Sequence, residues 1–169
     1  MNKFRPMTPQ HGMVLVICLI MLLLLTLSGL AAMQGSALQE KMAGNVRDSE
    51  QAFLAAESAL RNGETFLNVS GGTATFSTAG TSGLYDRTAS SAVAVDWKDS
   101  ATVWRTGSTI SGISDTPRYF VESLPLVIYK GKSLEADTPL ETTVIYRVTA
   151  SASGQTASSR AVLQSTYRR

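Results

Sequence analysis

Cysteine and histidine are almost absent from this chain. Among its 169 residues there is one of each, and the histidine, His11, lies close to the N-terminus. A lone cysteine has no partner within the chain, so a folded region must be stable without a disulfide. A zinc site needs a cluster of histidines or cysteines, and a Ser-His-Asp triad needs a histidine in the folded region. The composition therefore excludes a disulfide scaffold, a zinc site and triad hydrolysis after residue 12.

Charge is also sparse. Charged residues make up 17% of the chain, the net charge is +2 and the basic residues are scattered, which excludes the basic patch of nucleic-acid-binding proteins.

Four acids could approach one another and bind calcium: Asp115, Glu122, Asp137 and Glu141. Their spacing matches no EF-hand loop, so we interpret them as solvated surface acids. Gly71-Gly72-Thr73 lacks the lysine of a phosphate loop and is interpreted as a helix stop. We expect no metal and no cofactor.

One long apolar run lies near the N-terminus. Between Met13 and Met33 there is no charged residue. As a helix, these 21 residues reach roughly 31 Å, about the thickness of the hydrocarbon core of a bilayer. Lys3 and Arg5 precede the run, and the positive-inside rule places such a basic N-terminus in the cytoplasm. The run therefore predicts a membrane-spanning helix with a cytoplasmic N-terminus and an exported remainder.

The apolar run has three simpler interpretations. Gly29-Leu30-Ala31 is compatible with a secretory cleavage site, although the run is longer than the apolar region of such signals. Cys18 lies in the region where a lipoprotein signal has its cysteine, but Leu15-Val16-Ile17 supplies no small residues before it. On the run alone, a plain membrane anchor for a periplasmic domain is the favoured interpretation.

The helical pattern continues beyond the apolar run. We predict one helix from Gly12 to about Leu67, because no proline interrupts it and residues 52–59 are rich in alanine. Arg61 follows Glu57 by four residues, a spacing that stabilises a helix. Apolar residues that recur at intervals of seven predict a stripe on one helix face, which we expect to form the core of the exported head. This stripe consists of Val46, Phe53, Leu60 and Leu67.

Three strand patterns follow towards the C-terminus. Residues 119–129 are rich in β-branched and aromatic residues, and Pro125 demotes the middle of that stretch to an edge or a bend. Residues 142–152 and 159–167 alternate between apolar and polar side chains, and Ser153-Gly154-Gln155 links them as a hairpin. The pattern predicts an α+β fold. Its long helix, half transmembrane and half amphipathic, packs on a small antiparallel sheet.

The segments between the helix and these strands carry weaker signals. Residues 70–91 are rich in serine, threonine, glycine and alanine. We expect a long loop there, with a short strand or a helical turn, that contributes little to a core. Residues 96–104 hold both tryptophans and fit either a short helix or a strand. Residues 107–116 are predicted to form a second loop.

The order of these elements resembles that of type IV pilins and type II secretion pseudopilins. Those proteins have a polar leader that ends in glycine, then a methionine or phenylalanine, a long apolar helix and an antiparallel sheet. A second, more specific motif comprises Met42, Ala43, Gly44, Asn45, Arg47, Asp48, Ala52, Phe53, Ala56, Glu57, Leu60 and Arg61. This motif resembles that of PilX-type minor pilins, to which K-type pseudopilins are similar. Residues 146–150 and 163–168 also resemble that family.

The resemblance implies how the chain is divided and processed. Residues 1–12 would be a prepilin leader, residues 13–33 a transmembrane and assembly helix, and residues 34–169 the helix continuation with a periplasmic head. Prepilin peptidase would cleave after Gly12 and methylate the new N-terminal amine of Met13. The protein would be the substrate of that enzyme and not itself an enzyme.

The resemblance also implies a function in type IV pilus assembly. The protein would be a minor pilin that takes part in initiating assembly, in a tip complex with other minor pilins. Its partners would include the major pilin, inner-membrane lipid and a large tip adhesin of the PilC/PilY kind. It would pass from the inner membrane into the pilus fibre, at its tip, and contribute to twitching motility and cell adhesion. The alternatives are a pseudopilin of type II secretion and a membrane-anchored periplasmic binding domain.

The chain departs from the pattern of major pilins in two respects. Its helix contains no proline, although major pilins usually have a kinked helix, and one position carries a different residue. The fifth residue after the cleavage site is glutamate in major pilins, and it is Ile17 here. In the family, that carboxylate is thought to contact the N-terminal amine of the subunit above it in the fibre. A buried carboxylate without such a partner costs several kcal/mol. A subunit with nothing above it is more stable without the acid, so Ile17 favours a position at the fibre tip.

Overall fold

The computed structural model describes residues 12–70, 73–89, 93–125, 127–128 and 142–168. The chain divides into two compact units, Met1–Gly44 and Asn45–Arg169. Helix α1, Met13–Ser70, contributes residues to both of them. The described part of the first unit consists of Gly12 and helical residues 13–44.

Helix α1 confirms the prediction of one long helix. It begins directly after Gly12 and ends at Ser70, 58 residues in all. In the apolar half of α1, the hydroxyl groups of Thr26 and Ser28 donate hydrogen bonds to backbone carbonyls of the same helix. The Thr26 hydroxyl donates to the carbonyl of Leu23 at 2.7 Å, and the Ser28 hydroxyl donates to that of Leu24 at 2.9 Å. Such bonds allow hydroxyl side chains in surroundings without water.

The described residues of the second unit add seven strands and a short 3₁₀ helix, Thr81–Gly83, to its share of α1. In chain order the strands are β1 Leu84–Asp86, β2 Arg105–Thr106, β3 Arg118–Ser123, β4 Val127–Ile128, β5 Thr142–Thr143, β6 Ile145–Ser153 and β7 Arg160–Arg168. Five of them form one sheet in the order β1-β3-β6-β7, with β2 also paired to β3, and β4 pairs with β5 separately.

The sheet is mixed, whereas the sequence predicted an antiparallel one. Strands β2, β6 and β7 pair in antiparallel fashion, but β1 runs parallel to β3, with Leu84 opposite Val121. A parallel pair requires a long crossover connection, and residues 87–117 between these strands supply one. Strand β1 lies inside residues 70–91, where a loop with a short strand or helical turn was predicted. That stretch was expected to contribute little to the core. Leu84 and Tyr85 are in fact buried there.

The other strand predictions are largely confirmed. The β6–β7 hairpin aligns Ser153 with Arg160 and Ile145 with Arg168, and its connection is longer than the tripeptide Ser153–Gln155 alone. Strand β3 ends at Ser123, before Pro125, and it occupies the middle of the sheet because β1 and β2 flank one side of it and β6 the other.

Residues 96–104 form turns and neither a helix nor a strand. The carboxylate of Asp96 accepts the backbone N–H of Lys98 at 2.9 Å, and that of Asp99 accepts the N–H of Ala101 at 2.9 Å. These local bonds compete with regular secondary structure. The segment covers the sheet face opposite α1, where Trp104 packs edge-on against Phe120 with ring centroids 4.8 Å apart.

The core face of α1 differs from the predicted stripe. Val46 and Phe53 are 58% and 50% exposed, Leu60 is half-buried, and only Leu67 is fully buried. The buried face instead consists mostly of small residues, namely Ala52, Ala55, Ala56, Ala59, Gly63 and Leu67. These positions recur every three or four residues, as one helix face requires. The prediction of a large apolar stripe was therefore wrong at its N-terminal end, because backbone proximity and not side-chain volume determines the packed face.

Gly63 marks the closest approach of helix and sheet. A Cβ atom at this position would lie 2.5 Å from Cγ1 of Val148 and 3.1 Å from Cδ2 of Tyr119. Both neighbours are buried core residues of β6 and β3. The absence of a side chain thus lets the α1 backbone rest directly on the sheet.

Replacing Gly63 by alanine should destabilise the second unit. Overpacking a core costs about 1–3 kcal/mol, and alanine recovers about 1 kcal/mol of helix propensity. We expect the free energy of unfolding to fall by about 1 kcal/mol in Gly63→Ala and by more in Gly63→Val. Urea unfolding of the protein in detergent, followed by tryptophan fluorescence, measures this free energy. Ser49→Ala, at an exposed position of the same helix, is the control and should change stability by less than about 0.5 kcal/mol. Equal stability of Gly63→Val and the wild type would contradict the close packing.

Candidate assembly surfaces

The apolar half of α1 is the largest exposed apolar surface of the first unit. From Met13 to Met33, every valine, leucine, isoleucine and methionine is at least half exposed, from 50% at Ile20 to 73% at Leu25. The helix is long and apolar enough to cross a membrane. A surface that is apolar on all sides must be covered by lipid or by other helices. The segment is thus a candidate surface for both.

The residues of the expected processing site lie at the start of this surface. Met13 is the first residue of α1 and is 62% exposed, and Gly12 directly precedes the helix. Ile17 is 51% exposed and Cys18 is a free, exposed cysteine. His11 lies outside the described residues. Helix α1 therefore begins at the second residue of the Gly12–Met13 dipeptide.

The motif residues on α1 divide into two groups. Ala52 and Ala56 are buried, and Leu60 is partly buried against the core cluster that contains Leu67 and Val148. Glu57 and Arg61 form the predicted ion pair on the helix surface, with oxygen and nitrogen 2.5 Å apart. Exposed members are Met42, Ala43, Gly44, Asn45, Arg47 and Phe53.

The α1 residues of the second unit form another exposed apolar surface. Val46, Phe53 and Leu54 of the second unit are each at least half exposed. Val46 and Phe53 were predicted to lie in the core, so this surface was not predicted from the sequence. The alanines at positions 52, 55, 56 and 59 contained the missing signal, because a run of small residues at helical spacing permits close helix packing.

Asp48 attaches α1 to the β6–β7 hairpin. Its carboxylate accepts hydrogen bonds from the Thr156 hydroxyl and from the backbone N–H groups of Gln155 and Thr156. The bond from the Thr156 hydroxyl is the main reason why the pKa of Asp48 is lowered. Gly154 makes this approach possible, because a Cβ there would overlap the carboxylate and the carbonyl oxygen of Asp48. The motif residue Asp48 is thus a structural anchor.

The acids considered for calcium do not form a site in the described residues. Asp115 accepts the Ser153 hydroxyl at 3.1 Å and lies 3.7 Å from Arg160. Glu122 is 1% exposed, so its interpretation as a solvated surface acid was wrong.

The Glu122 carboxylate instead lies 3.9 Å from Nε of Arg87 and 3.7 Å from Arg147, and it accepts the N–H of Val95 at 3.1 Å. A buried carboxylate requires such partners. Asp137 and Glu141 lie outside the described residues. Within the described ranges, no group of three or more potential metal ligands occurs.

The Asp48 anchor leads to a pH-dependent prediction. A carboxylate whose pKa is lowered by folding stabilises the protein above its ordinary pKa near 4, and that stabilisation is lost as the pH falls through the lower folded value. We expect Asp48→Asn to accelerate amide hydrogen exchange in residues 154–159 at neutral pH. The difference from wild type should shrink below about pH 4.

Two variants serve as comparisons for the Asp48 prediction. Thr156→Val removes the partner hydroxyl, so adding it to Asp48→Asn should have little further effect. Glu50→Gln changes another exposed acid of the same helix and should leave the exchange rates unchanged. Identical exchange in Asp48→Asn and wild type at neutral pH would show that the contact does not order the hairpin.

Two protein-family models together match every described residue of the chain. A family model described as PilX N-terminal matches residues 11–61, and one described as Type IV pilus assembly protein PilX C-term matches residues 61–169. Neither the curated proteins nor the solved structures yielded a match. The two family matches meet on helix α1 and together include both of its exposed apolar surfaces. The chain belongs to the PilX family of type IV pilus assembly proteins.

Proposed function

We propose that the protein is a minor pilin that takes part in initiating type IV pilus assembly, in a tip complex with other minor pilins. The observation that carries this proposal is the uncovered apolar half of α1 in a chain of the PilX family. A structural component of a pilus needs such a surface, and a freely diffusing protein does not. The family is a structural pilus family and not a known enzyme family.

The physical basis of assembly would be exchange of one apolar environment for another. In the membrane, lipid covers Met13–Met33. Lipid tails are as apolar as leucine, so helix association there relies on close packing and not on escape from water. Small residues favour close packing, and Gly29, Ala31 and Ala32 supply them at one end of the run. The helix would therefore pass from lipid into a bundle of sister helices at modest cost in free energy.

Processing would occur at the start of the helix. Prepilin peptidase would cleave after Gly12 and methylate the amine of Met13, because the Gly12–Met13 dipeptide matches the pilin pattern and α1 begins at Met13. Removal of the basic leader would free a helix that starts with its apolar surface. The further partners proposed are the major pilin and a large tip adhesin of the PilC/PilY kind.

Deletion of the gene tests the proposed function. Cells without the protein should show few or no surface pili and no twitching motility, and a plasmid copy should restore both. Loss of protein secretion with normal pili would instead identify a type II pseudopilin. Normal pili together with normal secretion would contradict both assignments.

Mass spectrometry of the purified protein tests the processing step. Wild-type protein should begin at methylated Met13, and Gly12→Leu should retain its leader because a large side chain replaces the glycine of the site. Gly29→Ala, whose new Cβ meets no atom within 4 Å, is the control and should be processed. An intact Met1 in the wild-type protein from piliated cells would favour a plain anchor.

Ile17 supports the proposed position at the tip. A carboxylate at this place in the apolar run costs about 2.5–3.5 kcal/mol when it has no partner. Ile17→Glu should therefore reduce the number of pili per cell, whereas Ile17→Gln, of nearly equal shape but uncharged, should reduce it less. Immunogold labelling and pilus counts measure both. Unchanged tip labelling and pilus number in Ile17→Glu would contradict a subunit with nothing above it.

A further inference from the structure

A cleft of about 300 Å³ lies on the sheet face opposite α1. Tyr119 belongs to the core packed on α1, so its neighbour Arg118 projects from the other face of β3. Trp97, Trp104, Arg118 and Arg160 line the cleft. A smaller cleft of about 180 Å³ adjoins it and shares both arginines. The cleft belongs to neither of the apolar surfaces used in the proposed assembly.

Two cations of the cleft are held on tryptophan rings. The guanidinium carbon of Arg118 lies 4.5 Å from the ring centroid of Trp104, and Nζ of Lys98 lies 5.2 Å from that of Trp97. Trp104 is itself packed against Phe120 of β3. Stacking on an aromatic ring leaves the planar edge of a guanidinium available for hydrogen bonds to a carboxylate. The cations are thus positioned before any ligand binds.

The charges of the cleft favour an anionic group. Burial, and then the positive charge of Arg160, lower the pKa of Arg118. Two positive charges therefore repel each other here, and the nearest described counter-ion is Asp115, 3.7 Å from Arg160. Lys98 adds a further exposed cation at the rim. An anion between the arginines would relieve this repulsion.

Other groups in the cleft restrict which anion fits. Asp99 also lines it, together with the hydroxyl-bearing Ser100. A compact anion such as phosphate gains nothing from a carboxylate, which repels it. A sugar acid uses each group: arginines pair with its carboxylate, aspartate and serine accept and donate bonds to its hydroxyls, and the tryptophans cover its apolar faces. The volume is at the lower end for ligand pockets and fits a small unit.

We propose that this cleft binds a carboxylated sugar unit, such as a uronic acid of an acidic polysaccharide. The function goes beyond pilus assembly, because it would give the head a contact with surface or matrix polysaccharide. An acidic peptide would share the arginine contacts, but it lacks the neighbouring hydroxyl groups that a sugar acid presents to Asp99 and Ser100.

Tryptophan fluorescence of the full-length protein in nonionic detergent tests the proposal. Both tryptophans of the chain line the cleft, so the signal reports on this site alone. We expect a saturable change with trigalacturonic acid and none with its methyl ester, which lacks the charge. Phosphate and hexaglutamate should bind at least about tenfold more weakly than the sugar acid. Equal or tighter binding of either one would overturn the assignment to a sugar acid.

Two matched variants locate the binding. Arg160→Gln removes an exposed cation of the cleft and should weaken binding of trigalacturonic acid at least about tenfold. Arg61→Gln removes an exposed arginine on α1, far along the chain from the cleft, and should leave affinity unchanged. Circular dichroism checks that both variants are folded. No saturable signal in the wild type, or equal affinity in Arg160→Gln and wild type, would overturn the site.

Discussion

The close packing of α1 on strands β3 and β6 is the constraint on which the second unit depends. Alanines and Gly63 form the buried helix face, and at Gly63 the backbone leaves no room for even a methyl group against Val148 and Tyr119. Contact at this distance gains dispersion energy along the whole interface. It also determines which side chains remain outside. Phe53 and Leu54, which lie on other faces of the helix, are exposed.

Exposure of large apolar side chains on α1 connects the fold to pilus assembly. Soluble proteins rarely leave contiguous apolar surface uncovered, and such surface marks a site of membrane or protein contact. In the first unit the exposed surface surrounds residues 13–33, and in the second it includes Val46, Phe53 and Leu54. One helix thus supplies a small-residue face for its own sheet and apolar surfaces for lipid or neighbouring subunits. Membership of the PilX family fits this use.

The sequence predicted the elements whose signals are local. The limits of α1 follow from the apolar run, the lack of proline and the glycines at 71–72, and strands β6 and β7 follow from strict alternation. Elements that depend on tertiary contacts were not predictable in this way. The parallel strand β1 is three residues long and is defined by its pairing with β3. Seven-residue periodicity identified apolar positions but not the face that packs, since alanine carries little weight in such a pattern.

The candidate sites, too, were only partly predictable from the sequence. The motif that resembles PilX-type pilins pointed to the correct helix, but only the structure separates its anchors, Asp48 and Ala56, from its exposed members. Glu122 was expected on the surface and is buried between two arginines. The cleft of Trp104 and Arg118 joins residues from a turn segment and from β3, and no spacing along the chain indicates that they meet.

The proposed function depends on one step, in which the apolar half of α1 leaves lipid and packs among the helices of other pilins. Site-specific photo-crosslinking from a reactive amino acid at Leu22 tests this most directly. In membranes of cells that lack the assembly motor, the probe should label lipid. In pili sheared from the cell surface, the account predicts crosslinks to the apolar helix of another pilin. Crosslinks to lipid alone, together with absence of the protein from the sheared fibres, would contradict it.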